Sequence, residues 1–263
     1  MSTITLTLIQ TNLFWEDKKA NLQMLQHKIE TIKEKTEIVV LPEMFSTGFS
    51  MKPELLAEKM DGETIGWMRK IASSRKIILT GSVIIEEGEK YFNRLIWMLP
   101  TGEYGFYDKR HLFAHGDEDS HYAPGHKKLI ASVKGWKINM QICYDLRFPV
   151  WTRQPPGSND EKYDLLINVA NWPEKRNLAW NTLLRARAIE NQCFVVGLNR
   201  FGTDGNKNLY SGHSSVIDPL GEIIYYNNTG EDIFSCTLHM ERITATRDQF
   251  PFWQDADSFI IDK

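Results

Sequence analysis

From Thr3 to Ile9 polar and apolar residues alternate with the period-two pattern of a strand, and from Asp17 to Lys33 Leu22, Leu25, Ile29 and Ile32 return at helical spacing. Glu37 to Leu41 is a short β-branched run ending in Pro42-Glu43. A second helical stripe follows in Glu63 to Lys76, carrying Ile65, Met68, Ile71 and Ala72. Lys76 to Ile85 and Tyr91 to Leu99 are strands on either side of Glu86-Glu87-Gly88-Glu89. Pro100-Thr101-Gly102-Glu103 then turns into a third strand at Tyr104 to Lys109, so this stretch reads as a meander.

The second half keeps alternating. Arg110 to His126 is charged, holds Gly and His, lacks periodicity and is too long for a simple connector, so it reads as a loop with a function. Lys137 to Ile142 is a strand that runs into Cys143. Arg153 to Lys162, with Gln-Pro-Pro-Gly-Ser-Asn-Asp, reads as an exposed loop. Leu165 to Ala170 reads as a buried strand. Glu174 to Asn191 reads as a helix with Leu183, Leu184, Ala188 and Ile189 facing inward, and Cys193 to Leu198 as the strand after it. Ser214 to Asp218, Glu222 to Tyr226 and Ile233 to Leu238 are strands separated by Asp218-Pro219-Leu220-Gly221 and Asn227-Asn228-Thr229-Gly230 turns. With no repeat and no interdomain linker, one α/β domain spanning residues 1–263 is expected, two sheets packed on each other with helices outside.

Composition narrows the function classes. The 263 residues are 42% hydrophobic and 25% charged, which suits a soluble globular protein. Acidic and basic side chains number 34 and 31, a net charge of −3, without the basic excess that binding a phosphate backbone leaves in a sequence, so no nucleic-acid partner is expected. Cys143, Cys193 and Cys236 form an odd set that argues against a disulfide framework and for a reducing compartment. Residues Met1 to Gln10 lack a basic flank and apolar stretch, and no apolar run approaches the roughly 20 residues of a membrane span. The expected location is the cytoplasm, with no membrane contact.

Glu43, Lys109 and Cys143 all fall at the ends of predicted strands, where the strand fixes the backbone and the following loop is free to build a site. Taken singly, each has an ordinary alternative: a surface carboxylate, a solvated lysine, a small buried hydrophobe. Context favours Cys143, because Tyr144-Asp145-Leu146-Arg147-Phe148-Pro149 after it reads as a strand-to-turn junction that lifts a nucleophile out of a sheet. Cys193 and Cys236 lie inside apolar runs and read as structural.

Leu41-Pro42-Glu43-Met44, Tyr107-Asp108-Lys109-Arg110-His111-Leu112-Phe113 and Gln141-Ile142-Cys143-Tyr144-Asp145-Leu146-Arg147-Phe148-Pro149 together resemble the three signature segments of the nitrilase superfamily, in its chain order and at suitable separations. Asn168-Val169-Ala170-Asn171-Trp172-Pro173, Arg185-Ala186-Arg187-Ala188-Ile189-Glu190-Asn191 and the run from Gly212 to Gly221 resemble its later blocks. The resemblance implies an α/β fold, a four-layer α-β-β-α sandwich with two six-stranded sheets, and subunits paired as a homodimer. It also implies a fourth residue, Glu118, in the loop before Pro124-Gly125. In these roles Cys143 attacks an amide as thiolate, Glu43 takes its proton, Lys109 and the backbone N–H of Tyr144 stabilise the oxyanion, and Glu118 orients Lys109 and the substrate amide.

No metal or other cofactor is expected. Tyr144, Phe113, Trp172 and Arg147 are the candidate substrate-binding residues, with an ion pair fixing the turn as the favoured role of Asp145 and Arg147. The pattern looks most like the bacterial omega-amidase branch, which implies a small ω-amide with a distal carboxylate, such as 2-oxoglutaramate or succinamate, held by one of Arg110, Tyr144, Arg147 or His213. The alternatives are a relative acting on deaminated glutathione, an N-carbamoyl amino acid or a nitrile; a thiol hydrolase pairing Cys143 with His111 or His115; and a noncatalytic interaction protein.

Overall fold

The computed structural model describes residues 2–156 and 162–261; the centre of the predicted exposed loop, 157–161, lies outside the described residues. The first half runs β1 (Thr3–Gln10), α1 (Lys18–Glu30), β2 (Ile38–Val40), α2 (Pro53–Leu56), α3 (Glu63–Arg75), β3 (Ile78–Glu87), β4 (Lys90–Met98) and β5 (Tyr104–Asp108). The second runs α4 (Glu118–His121), β6 (Ile130–Val133), β7 (Trp136–Ile142), α5 (Pro149–Thr152), β8 (Leu165–Ala170), α6 (Asn177–Asn191), β9 (Phe194–Asn199), β10 (Phe201–Thr203), β11 (Leu209–Ser211), β12 (Ser214–Ile217), β13 (Ile223–Asn227), β14 (Asp232–His239) and α7 (Met240–Gln249).

Two six-stranded sheets result, ordered β14-β1-β2-β3-β4-β5 and β13-β12-β9-β8-β7-β6, with β10 and β11 a separate hairpin. In each sheet the three central strands are parallel and the outer ones antiparallel. Period-two alternation explains the layering. Ile38 and Val40 point into the core between the sheets, alongside Ile138, Met140 and Ile142, while Val39 between them faces α1 and α3 through Leu25, Ile29 and Met68. On the second sheet Trp180, Leu184 and Ala188 of α6 cover the outer face, giving a four-layer α-β-β-α sandwich.

Several expectations change. The predicted helix from Glu174 divides into a 3-10 turn, Glu174–Arg176, and α6. Ile189 is 52% exposed rather than inward. The buried stripe is Trp180, Leu184, Arg187, Ala188 and Asn191, because the Arg187 guanidinium turns in to donate to the Leu146 carbonyl at 2.6 Å. β6, the β10–β11 hairpin and α7 add to the predicted elements.

Candidate active site

Where β2 ends, the chain stays tied to β3: Leu41 N–H donates to the Thr80 carbonyl at 2.7 Å and Met44 N–H to Ser82 Oγ at 2.8 Å. Gly81 permits this approach, since a Cβ there would lie 2.8 Å from both Leu41 and Phe45. Glu43 is thereby held fully buried. Its Oε2 accepts the Asn171 N–H at 2.7 Å, and Asn171 Nδ2 donates to the Glu43 carbonyl at 2.6 Å. Asn171 follows β8, so the site lies where strand ends of both sheets meet.

Lys109 follows β5, and its Nζ, wholly buried, donates to Glu43 Oε1 at 2.9 Å and to Glu118 Oε2 at 2.8 Å. Asn93 Nδ2 bridges the same two carboxylates, at 2.8 Å to Glu43 and 3.3 Å to Glu118. Glu118 arrives on the loop of residues 110–126, which closes on its own start: Gly125 N–H donates to the Lys109 carbonyl at 2.9 Å. Only glycine fits there, because a Cβ would stand 2.1 Å from the Asp108 carbonyl oxygen. Inside the loop Phe113 N–H donates to Glu118 Oε2 at 2.6 Å. Burial disfavours the Lys109 cation, but Glu118, Glu43 and Cys143 more than offset it and hold its pKa above the ordinary lysine value. Burial, with repulsion from Glu43, pushes the Glu118 carboxyl up against the pull of Lys109.

Cys143 is the first residue beyond β7 and has φ 44°, in the left-handed region where a residue with a Cβ is strained. Asp145, fully buried, holds the turn: it accepts Tyr107 Oη at 2.7 Å, His111 N–H at 3.0 Å, His111 Nδ1 at 2.8 Å and Ile142 N–H at 3.1 Å. Asp145 thus fixes the turn through these nearby groups, His111 among them, rather than through a mutual pair with Arg147. The Cys143 thiol lies within the electrostatic reach of Glu43, Lys109 and Glu118. Burial pushes this thiol up, Glu43 adds to the shift and Lys109 only partly opposes it. Together these influences favour the neutral thiol over the thiolate that a nearby cation alone would suggest.

Above Cys143 lies a cavity of about 260 Å³, just under the range of roughly 300–1,000 Å³ that serves drug-sized ligands, and hence sized for something small. Of the residues singled out in the sequence, Lys109, Cys143, Tyr144, Phe113, Trp172 and Arg147 line it. Trp172 does double service: it is 3% exposed and packs on Trp180 at 5.3 Å, yet one face meets Arg147 at 4.8 Å and the cavity. Arg110 and His213 are elsewhere. Arg110 donates to the Gly125 carbonyl at 3.3 Å, and His213 sits beside Asn181 and Tyr226. His111 is taken up by Asp145 and stacks on Phe148 at 3.8 Å, while His115 reaches the cavity rim. Arg176 and the Asp204–Tyr210 hairpin also line the cavity, and sequence reasoning missed both. Arg176 was hidden inside an apparently continuous helix, and strands as short as β10 and β11 show no period.

Residues 5–248 match the Carbon-nitrogen hydrolase family. The omega-amidase YafV of Escherichia coli K12 is 42% identical over 260 residues, covering 98% of this chain and 99% of that one. The 2-oxoglutaramate amidase of Bacillus subtilis is 30% identical over 256 residues, covering 95% and 96%. A crystal structure from Xanthomonas campestris, a CN-hydrolase superfamily protein with an arsenic adduct in its active site, superposes with a TM-score of 0.96 at 42% identity over all of both chains. With strand ends that gather a cysteine, a lysine and two glutamates under a small pocket, and with similarity that runs from end to end, the chain belongs to the carbon-nitrogen hydrolase family and is a hydrolase of carbon–nitrogen bonds other than peptide bonds.

Proposed function

We propose that this enzyme is an ω-amidase, releasing ammonia from a short ω-amide that carries a carboxylate at its other end, such as 2-oxoglutaramate or succinamate. One observation supports this above all. The Arg147 guanidinium lines the same small cavity as Cys143, rests on the Trp172 ring, and has no hydrogen-bond or ion-pair partner among the described residues. A guanidinium held in this way matches the two oxygens of a carboxylate. The relatives named for omega-amidase and 2-oxoglutaramate amidase activity point the same way.

The reaction begins with Cys143 Sγ attacking the amide carbon while its proton passes to Glu43, the carboxylate whose charge acts on the thiol. The oxyanion forms beside the Lys109 ammonium and the Tyr144 N–H. Glu43 then protonates the departing nitrogen, the C–N bond breaks, and ammonia leaves a thioester on Cys143. Water attacks that thioester and gives a proton to Glu43. Collapse breaks the C–S bond, the proton returns to sulfur, and the carboxylate product departs. Glu118 orients Lys109 through two contacts, at 2.9 and 2.8 Å.

The same reading includes a homodimer in a reducing compartment, where the three unpaired thiols remain reduced. The test compares ammonia release from succinamate, from its methyl ester and from an aliphatic amide of equal length. Loss of a charged hydrogen bond in a dry pocket costs about 1.5–3 kcal/mol, so kcat/KM falls roughly 10- to 150-fold without the carboxylate, and Cys143→Ala abolishes release. Comparable values for all three amides would remove the carboxylate pocket, and a preference for a nitrile or an N-carbamoyl amino acid would replace the substrate class.

A further inference from the structure

We propose that Arg176 is a second substrate-binding guanidinium, which takes the oxygen next to the substrate carboxylate and makes the enzyme select ω-amides of 2-oxo acids over those of unsubstituted acids; this rests on the ω-amidase reading above. Arg176 ends the 3-10 turn ahead of α6, and its carbonyl accepts the Trp172 Nε1–H at 2.9 Å. The ring that supports Arg147 therefore also fixes the backbone of Arg176. The Arg176 guanidinium sits over Phe113 at 4.9 Å, and Phe113 meets Tyr144 edge-on at 5.1 Å. Two arginines thus stand on two aromatic rings around one cavity.

Like that of Arg147, the Arg176 guanidinium has no hydrogen-bond or ion-pair partner among the described residues. The acidic groups that line the cavity or lie beneath it are already engaged, and Glu174, in the same 3-10 turn as Arg176, is exposed, its carboxylate without a hydrogen-bond or ion-pair partner among the described residues. Glu43 and Glu118 hold Lys109. Asp204, on the cavity wall, accepts the N–H groups of Asn206 and Asn208, Asn208 Nδ2 and Tyr210 Oη, which saturates it within its own hairpin. Both guanidiniums are left open to acceptors that a substrate brings. A carboxylate satisfies one planar fork with its two oxygens. A 2-oxo group adds a third oxygen on the adjacent carbon, which an unsubstituted chain lacks, and a site left with unpaired donors discriminates against the analogue missing the acceptor.

The experiment measures kcat/KM on 2-oxoglutaramate and on glutaramate, which differ only in the oxo group, for wild type, Arg176→Gln, Arg176→Lys and Arg147→Gln. Wild type should prefer the 2-oxo amide by about tenfold or more. Arg176→Gln should bring the two within roughly threefold, chiefly by raising KM for the 2-oxo amide, and Arg176→Lys should keep part of the preference because it keeps the charge without the fork. Arg147→Gln should lower both. An equal drop on both substrates in Arg176→Gln, or an undiminished preference, would overturn the assignment while the ω-amidase reading stands. If wild type hydrolyses neither amide, that reading fails and the role of Arg176 fails with it.

Discussion

The Cys143 thiol feels opposed pulls from the Glu43 carboxylate and the Lys109 ammonium, and burial acts on the side of Glu43. All three influences bear on one proton. Desolvation and the carboxylate keep it on sulfur, the lysine draws it off, and the first two win. Two measurable consequences follow for alkylation by iodoacetamide, which reads thiolate. In wild type the Cys143 labelling rate should keep climbing as pH rises beyond 9.0, the ordinary thiol value, because the folded-state pKa is raised and the thiolate appears only above it. In Glu43→Gln the negative charge is gone and Lys109 remains, so labelling at pH 8 should be faster than in wild type although turnover is lost. A slower rate in that variant, or a wild-type plateau by pH 7, would mean that Cys143 rests as a thiolate paired with Lys109.

At the scale of elements, the turn after β7 is held less by its own hydrogen bonds than by Asp145, which joins it to the end of β5 and the start of the following loop. Asp145→Asn turns one acceptor oxygen into an NH2 that faces donors. Leaving buried donors unpaired costs about 1–3 kcal/mol each, so a loss of about 2–5 kcal/mol is expected in denaturant unfolding, with kcat falling more than KM as the strained Cys143 loosens. An unchanged midpoint would show that the turn holds itself. Much of this arrangement was legible in the sequence for a physical reason. β2 is a short β-branched run, and it, β5 and β7 stop abruptly before Pro42-Glu43, at Lys109 and at Cys143, so the strand ends and the candidate groups on them could be read together. Glu118 was visible only through resemblance, since a carboxylate in an aperiodic loop carries no pattern; what places it is the closure of Gly125 on Lys109. Arg176 and the Asp204 hairpin stayed hidden because the charged 3-10 turn Glu174–Arg176 runs into α6 with no proline or glycine to mark the boundary, and side-chain bonds to the backbone shape the hairpin. Ile189 was misplaced because apolar character alone cannot tell which face a helix buries, and a paired Arg187 took the inward position.

In the whole molecule, the helices and the β13 edge of the second sheet carry apolar side chains that a lone subunit leaves in water. Leu178 and Ile189 on α6 are 83% and 52% exposed; Val150 on α5 and Ile223 and Ile224 on β13 are also exposed, as are Phe252 and Trp253 beyond α7. Ile189 reaches the turn between β12 and β13, where a Cβ on Gly221 would stand 2.7 Å from it, so α6 and that turn adjoin. Exposed apolar side chains concentrated in this way mark an interaction surface, and a two-fold pairing of identical faces is the commonest way to cover one. Such a pairing would also bear on catalysis, because Arg187 of α6 donates to the Leu146 carbonyl within the nucleophile turn at 2.6 Å. The expectation is a homodimer in sedimentation at micromolar concentration. Leu178→Asp with Ile189→Asp should shift it toward monomer and lower kcat, while a single buried substitution remote from this face, such as Ile71→Val, should leave the assembly intact. A wild-type chain that sediments only as a 30.5 kDa species would remove the dimer, and a double variant that stays dimeric would move the interface off α6.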